Sequence, residues 1–377
     1  MPWEKGRWAL RCIGIFQETH DVKTFHFEHA DDDVDKKTLF LHKPGQFITL
    51  RLQYGARPIS RSYTIASTPS RPMTLALTIK RDPGGLVSRF MHDYLSVGDV
   101  ISVLGPAGTF NSADIAPRSK LLMLSGGSGI TPVMSMLRSI YDTASGAPDV
   151  VFLHSARTPA DIIFRNELAW MEAGRLNISV LHICAEQAER DMAAGLLDSQ
   201  ILQKHAPDFQ ERTILTCGPK PYMSAVKTIL KDADFDFGHY HEESFGDPSL
   251  RANPPDAAPE NIQTVAHPTP SSNGCEEQSP DPNAIESSVE STNEVTFVKS
   301  DRRIPYRHGD SILEIATRAG IAIPTNCQMG LCGTCKMRLL SGEVDMDEDE
   351  GLADEDRDGG YVLTCCGRPK GPVAIDL

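Results

Sequence analysis

A cysteine pattern near the C-terminus restricts this chain more than any other feature. It reads Cys327-Gln-Met-Gly-Leu-Cys332-Gly-Thr-Cys335, with Tyr361-Val-Leu-Thr-Cys365 further on. The spacing is C-x4-C-x2-C with a distant fourth cysteine, the pattern that holds a 2Fe–2S cluster. Four thiolates must surround such a cluster, and one tight loop supplying three of them pre-organises most of the site. Gly330 and Gly333 let the loop backbone come close and aim N–H groups at sulfur. The candidate metal ligands are therefore Cys327, Cys332, Cys335 and Cys365. Cys366 adjoins the fourth position, and the Tyr-Val-Leu-Thr-Cys register leaves it a bystander. The alternative is a tetrahedral zinc site, which usually shows two short C-x2-C pairs where this chain has one.

With 377 residues, the chain has room for two or three domains of about 150 residues. Its 40% hydrophobic and 23% charged residues are ordinary for a globular protein. No stretch approaches the roughly 18 apolar residues of a spanning helix. Met1 to Leu10 carry Glu4, Lys5 and Arg7 without an apolar core, which argues against a secretory signal. A cytoplasmic protein that uses clustered cysteines for metal or redox chemistry is the expectation.

The net charge of −14 is unevenly spread. Residues 1–245 hold 26 Lys+Arg and 28 Asp+Glu, whereas residues 246–377 hold 11 and 23, so −12 of the −14 belongs to the C-terminal third. Such a surface disfavours nucleic acid or an anionic membrane and suits a basic patch on another protein. A solvated acidic surface with no partner is the plain alternative.

Four segments emerge. Residues 1–113 alternate in short runs such as Phe47–Leu52, Ser62–Ala66, Thr74–Ile79 and Val100–Leu104, which predicts an antiparallel barrel or sandwich. Residues 114–246 place continuous apolar runs (Leu121–Leu124, Val150–Leu153, Ile178–Ile183, Thr213–Leu215) between helical patterns. That is a doubly wound parallel α/β domain. Residues 247–293 are rich in Pro, Ser, Asn and acids and read as a flexible tether. Residues 294–377 form a third compact unit opening with a strand at Val295–Ser300.

Ser125-Gly126-Gly127-Ser128-Gly129-Ile130-Thr131-Pro132 follows one of these strands and opens an amphipathic helix. This is the setting of a phosphate-cradling turn, in which glycines admit a pyrophosphate and the helix N-terminus offers N–H groups. Pro132 suits the first helical position but stands where a third fingerprint glycine would be, so a tight structural turn remains the alternative. Gly84-Gly85-Leu86-Val87-Ser88 opens a second helix and offers a second anion site. Arg61-Ser62-Tyr63-Thr64 lies on a barrel strand and says little alone.

Taken in order, Arg61–Thr64, Gly85–Ser88, Gly105-Pro106-Ala107-Gly108-Thr109-Phe110, Gly126–Pro132 and Cys217-Gly218-Pro219 resemble the ferredoxin–NAD(P)+ reductase superfamily. The C-terminal unit resembles a plant-type ferredoxin, which implies a β-grasp fold. The whole arrangement is similar to the reductase components of Rieske-type oxygenases, especially those demethylating betaine-like amines, and to the NADH oxidoreductase serving the hybrid-cluster protein. The resemblance implies that residues 1–113 form the flavin-binding barrel. It implies that Arg61 holds a flavin phosphate, Tyr63 flanks the isoalloxazine and Thr64 bonds near N5, with Ser62 among the cofactor-binding residues. It implies that Gly85, Leu86, Val87 and Ser88 receive the flavin pyrophosphate. Gly126, Gly127, Gly129 and Thr131 would receive the dinucleotide, with Cys217, Gly218 and Pro219 near the nicotinamide. In Glu243-Ser244-Phe245, the aromatic Phe245 would cover the flavin. Thr64, Cys217 and Phe245 are thus the implied catalytic set.

The function implied is transfer of electrons from NAD(P)H through FAD and a 2Fe–2S cluster to a partner protein, expected to be an oxygenase. FAD is favoured over FMN by the separate pyrophosphate turn at Gly85–Ser88. NADH is favoured over NADPH by resemblance, although Arg157 after the second α/β strand leaves a 2′-phosphate open. The competing classes are a reductase for the hybrid-cluster protein and a non-catalytic redox sensor. Cys332→Ser should abolish the visible spectrum of the cluster and collapse activity with a one-electron protein acceptor. NADH-to-ferricyanide activity should survive, because ferricyanide accepts directly from flavin; unchanged cluster absorbance would refute the ligand assignment.

Overall fold

The computed structural model describes residues 6–30, 38–54, 57–115, 118–143, 146–243, 245, 259–264, 294–307, 309–325, 330, 333, 335–346, 352 and 354–377. The chain divides into two units, Met1–Val265 and Ala266–Leu377.

The first unit opens with β1 (Gly6–Thr19), β2 (Val22–His29), β3 (Phe47–Tyr54), β4 (Arg57–Thr64), β5 (Leu75–Lys80), α1 (Leu86–Asp93) and β6 (Val100–Ala107). All pairings in this sheet are antiparallel. Alternation drives it: along β2, Phe25 and Phe27 are fully buried while Lys23, His26 and Glu28 are not. With Leu10, Ile48, Leu50 and Leu77 they form the barrel core, which α1 closes with Leu86, Val87, Phe90 and Met91.

The second half of this unit is a parallel sheet. Its elements are β7 (Lys120–Gly126), α2 (Ile130–Asp142), β8 (Asp149–Ala156), α3 (Arg165–Gly174), β9 (Ile178–Cys184), β10 (Ala193–Ala194), α4 (Ser199–His205), β11 (Thr213–Cys217), α5 (Lys220–Asp232) and β12 (Tyr240–Glu243). The strand order is β10-β9-β8-β7-β11-β12. The chain therefore winds outward from β7 in one direction and returns to its other side with β11. One face packs Leu121, Met123 and Phe152 against Val133, Met134 and Leu137 of α2, together with Val22, Ala66 and Phe110 of the barrel. The other packs Leu122, Leu124 and Leu153 against Val226 and Leu230 of α5.

Part of the segment read as a tether is structured. Ile262–Thr264 form β13, antiparallel to Leu52–Tyr54 of β3. β6 pairs β3 only up to Arg51, which leaves the next backbone groups of β3 open, and β13 takes them. Ile262 enters the barrel core, and Glu260 accepts a hydrogen bond from the Tyr94 hydroxyl. The composition of the stretch conceals one apolar side chain that a barrel edge could use. The rest of the tether, residues 247–258 and 265–293, lies outside the described residues.

The second unit contains β14 (Glu294–Phe297), β15 (Arg302–Pro305), α6 (Ile312–Arg318), β16 (Lys336–Ser341), β17 (Val344–Met346), α7 (Asp354–Asp358), β18 (Tyr361–Leu363), β19 (Gly367–Pro369) and β20 (Val373–Ile375). Its main sheet runs β15-β14-β20-β16-β18. α6 starts at a Ser311–Glu314 capping box and buries Ile312 and Ile315 against Val295, Phe297 and Ile375. β14 ends at Phe297, short of the expected Ser300, because Val298–Asp301 turn back into β15. Ile262→Ala should cost about 2–4 kcal/mol of barrel stability in urea unfolding, since it empties a buried site. A change near zero would mean that β13 is not held in solution.

Candidate functional site

The first cluster of site residues sits on β4. Its register against β3 pairs Thr64 with Phe47, Tyr63 with Ile48, Ser62 with Thr49 and Arg61 with Leu50. The Ser62 and Thr49 hydroxyls are 2.9 Å apart, so Ser62 is tied to its neighbouring strand. Thr64 is buried, and Tyr63 packs on the barrel core. α1 opens at Gly85, where a Cβ would strike the Ser88 hydroxyl and Asp82, so bare backbone forms its rim. Leu86 and Val87 send their side chains into the core, which leaves only their N–H groups for a ligand. The Ser88 Oγ already accepts the Asp82 N–H at 3.1 Å. Arg81 and Lys80 face Asp93 and Asp21 at 2.6 and 3.1 Å, as a solvated strand end would. The first-turn N–H groups and the Cβ-free rim fit a flavin pyrophosphate.

The second cluster lies where the winding reverses, at the carboxyl ends of β7 and β11. Ligands of doubly wound sheets bind in this crevice. Gly126 ends β7, Gly127–Gly129 make one 3-10 turn, and α2 begins at Ile130. The glycines divide the work. A Cβ at Gly129 would collide with the Cys217 carbonyl, and one at Gly218 would lie 2.6 Å from the Tyr222 ring. A Cβ at Gly126 would also press on Tyr222, at 3.1 Å. Gly127 has φ +52° and faces open space, so it is the glycine of the three that the turn itself requires. The Thr131 hydroxyl donates to the Ser128 carbonyl at 3.1 Å and braces this turn. Pro219 caps α5. Gly126, Gly127, Gly129, Thr131, Cys217, Gly218 and Pro219 thus converge on one crevice, whose close-packed glycines fit a dinucleotide backbone.

The sheet also aligns residues that the motifs did not single out. Glu243, Cys217, Ser125, His154 and His182 stand side by side across five strands. Ser125 Oγ and His154 Nδ1 are 2.8 Å apart. Burial, and then His182, push His154 down to about 3, so its ring is neutral. Burial raises the Cys217 thiol well above its ordinary value and keeps it protonated, unsuited to nucleophilic attack. Glu243 Oε2 is buried with no partner among the described residues, and burial pushes its carboxyl up to about 8. No local sequence signal exposes this row, because alignment across strands becomes visible only once strand order and register are known. Phe245 packs against the same core, and Ser244 lies outside the described residues.

The third cluster is in the second unit. β16 and β18 pair Lys336 with Leu363, which brings the preceding Cys335 beside the following Thr364 and Cys365. The Thr364 hydroxyl donates to the Cys335 carbonyl at 3.0 Å, and the two thiols lie within hydrogen-bonding reach. Gly330 N–H points at Cys365 Sγ from 3.2 Å. Gly330 and Gly333 have φ +74° and +69°, the left-handed backbone that glycine adopts freely. Cys327 and Cys332 lie outside the described residues. Two converging thiols with an N–H on sulfur fit a cluster. Of the acidic residues between this loop and Cys365, Asp347, Glu348, Asp349 and Glu350 also lie outside the described residues.

Among the described residues, no helix is long and apolar enough to cross a membrane. Residues 11–112 match the oxidoreductase FAD-binding domain, residues 123–228 the oxidoreductase NAD-binding domain, and residues 295–370 the 2Fe-2S iron-sulfur cluster binding domain. The chain is 43% identical to the glycine betaine monooxygenase reductase subunit of Pseudomonas aeruginosa, over 99% of its own length and 96% of that protein. It is 35% identical to the stachydrine N-demethylase reductase subunit of Rhizobium meliloti, over 97% and 96%. Among solved structures, phthalate dioxygenase reductase, described as a modular structure for electron transfer from pyridine nucleotides to a 2Fe–2S centre, shares the fold. Its TM-score is 0.55 at 22% identity, covering 99% of this chain and 98% of that one.

The Glu243 carboxyl carries a pH prediction. Its folded pKa lies above its unfolded value near 4.3, so between about pH 4.5 and 8 the native state holds a proton that the unfolded state has lost. This contribution makes stability fall as pH rises through that window, by up to about 1.4 kcal/mol per pH unit. Glu243→Gln should flatten the pH dependence of urea unfolding there and gain most at pH 8. Parallel curves for the two proteins would show that Glu243 is ionised in the fold.

Proposed function

The chain belongs to the family of oxygenase reductase components that join an FAD-binding, an NAD-binding and a 2Fe–2S domain, and on that premise we propose that it serves a glycine betaine-type monooxygenase. It is an oxidoreductase. The observation that carries the partner assignment is similarity to a glycine betaine monooxygenase reductase subunit over 99% of this chain and 96% of that protein. When bound, FAD takes a two-electron hydride from NADH and releases the electrons singly to the one-electron cluster.

The residues divide this task as follows. Arg61, Ser62, Tyr63 and Thr64 hold and orient the flavin ring and phosphate, and the backbone of Gly85–Ser88 holds its pyrophosphate. Gly126, Gly127, Gly129 and Thr131 receive the dinucleotide phosphates at the positive end of α2. Cys217, a neutral thiol flanked by Gly218 and Pro219, would shape the nicotinamide end of the crevice, and Phe245 would cover the flavin. Arg157 already faces Asp161 at 3.9 Å, which supports NADH over NADPH because the carboxylate repels a 2′-phosphate. Cys327, Cys332, Cys335 and Cys365 hold the cluster. Dependence on NADH and on reduced thiols supports the cytoplasm as its place of action.

The partner is recognised in part by charge. The C-terminal third holds 11 Lys+Arg against 23 Asp+Glu. Exposed Asp345, Glu355 and Asp358 contribute to this field. Reduction of the oxygenase component of a glycine betaine monooxygenase by NADH through this protein should therefore slow as salt rises, since the screening length is about 8 Å at physiological ionic strength. A salt-independent rate would refute charge-guided docking. An oxygenase component that stays oxidised while ferricyanide is reduced would refute the partner.

A further inference from the structure

The reaction proposed above needs the flavin strand and the dinucleotide crevice held at a fixed separation, and one face of α2 links them. Three of its residues at helical spacing, Ser135, Arg138 and Asp142, all meet the turn that follows Thr64. Ser135 is fully buried, and its hydroxyl donates to the Ser67 carbonyl at 2.7 Å while accepting the Gly45 N–H at 3.3 Å. Asp142 takes a bidentate bond from Arg71, at 2.7 and 3.0 Å, and another from the Ser70 hydroxyl. Arg138 lies between them, only 12% exposed. One of its terminal nitrogens donates to the Ala66 carbonyl, two residues beyond Thr64. Its other donors grip Glu167 of α3 at 2.8 and 2.6 Å, and its guanidinium lies 4.5 Å over the Phe164 ring.

The helix also approaches too closely for any side chain at Gly45, where φ is +103° and a Cβ would meet both the Met136 methyl and the Phe110 carbonyl. The turn therefore cannot slide along α2 without breaking bonds to two backbone carbonyls. The other end of α2 is the N-terminus that opens at Gly129 and Thr131. A guanidinium can satisfy the Ala66 carbonyl and a bidentate carboxylate at once, which an ammonium cannot.

We infer that Arg138 is a positioning residue for hydride transfer: by gripping the Ala66 carbonyl and Glu167 together, it sets the strand bearing Arg61–Thr64 against the helix that opens the dinucleotide crevice. It touches neither reacting group. This rests on the reading of the chain as an NADH-dependent flavin reductase. Binding and rate separate at Arg138, because the FAD and dinucleotide contacts lie elsewhere while their mutual distance depends on α2.

The test compares the intact holoprotein with Arg138→Lys, Arg138→Gln and Ser135→Ala. Flavin reduction by NADH and by C4-deuterated NADH is followed by stopped flow, and amide hydrogen exchange is followed in the segment around residues 65–71. In Arg138→Gln the limiting reduction rate should fall about tenfold or more, as sub-ångström misplacement does. The deuterium isotope effect should change, FAD content and the NADH dissociation constant should stay within about twofold, and exchange protection should drop in that segment. Arg138→Lys should fall between, and Ser135→Ala should repeat the rate and exchange pattern more weakly. Variants that lose exchange protection yet keep the wild-type limiting rate and isotope effect would overturn the inference and leave Arg138 as a brace for stability. If wild-type flavin is not reduced by NADH at all, the functional reading fails instead, and the exchange data still report whether the grip exists.

Discussion

The first unit depends on a contact that only bare backbone allows. α2 starts so close to the end of β11 that Gly129 rests on the Cys217 carbonyl, where no other residue would fit. This contact closes the two sides of the strand reversal onto each other and leaves N–H groups, not side chains, lining the crevice. Gly218 and Gly126 repeat the logic one layer below, where the Tyr222 ring fills the space that their missing side chains leave. A loop read as a phosphate cradle is thus also a packing device, and the two roles do not compete. Close approach of backbone to backbone is what brings the donors to the surface of the crevice.

From there the order of the first unit follows. α2 leaves the crevice, buries Val133, Met134 and Leu137 on the sheet, and turns its polar stripe to the barrel. The core beneath it mixes residues of both halves, Val22, Ala66 and Phe110 with Met123 and Phe152. The two halves of the first unit therefore share one apolar interior, and the polar stripe adds direction to an interface that apolar packing alone would leave free to slip. The cluster unit is a separate body with a separate core, in which the pairing of β16 with β18 brings Cys335 and Cys365 together.

The titratable row across the parallel sheet shows how strongly the fold sets chemistry. His154, Cys217 and Glu243 are all held neutral by burial, and each lies within the same lateral register. On the proposed reading, the crevice meets the nicotinamide with a neutral thiol, which is a poor nucleophile. The hydride chemistry belongs to the cofactors, and the protein contributes an uncharged, shaped wall.

Much of this is legible in the order of residues alone. The cysteine spacing identified the cluster motif because metal geometry restricts spacing tightly. Continuous apolar runs identified β7, β8, β9 and β11, since strands covered on both faces need apolar residues at every position. Glycine and proline placed the turns before α1 and α2: Gly127 holds a left-handed backbone, and Gly85 and Gly129 stand where a Cβ would clash. Other features had no local signal. β13 rests on one buried isoleucine within a polar stretch, and its pairing exists only because β6 leaves the end of β3 unpaired. The neutral state of Glu243 and the alignment of His154 with Cys217 depend on strands far apart in the chain becoming neighbours. The grip of Arg138 on Ala66 spans 72 positions. Spacing and periodicity report what one segment requires of itself, whereas burial, pKa and relative placement arise between segments, and tertiary structure alone decides them.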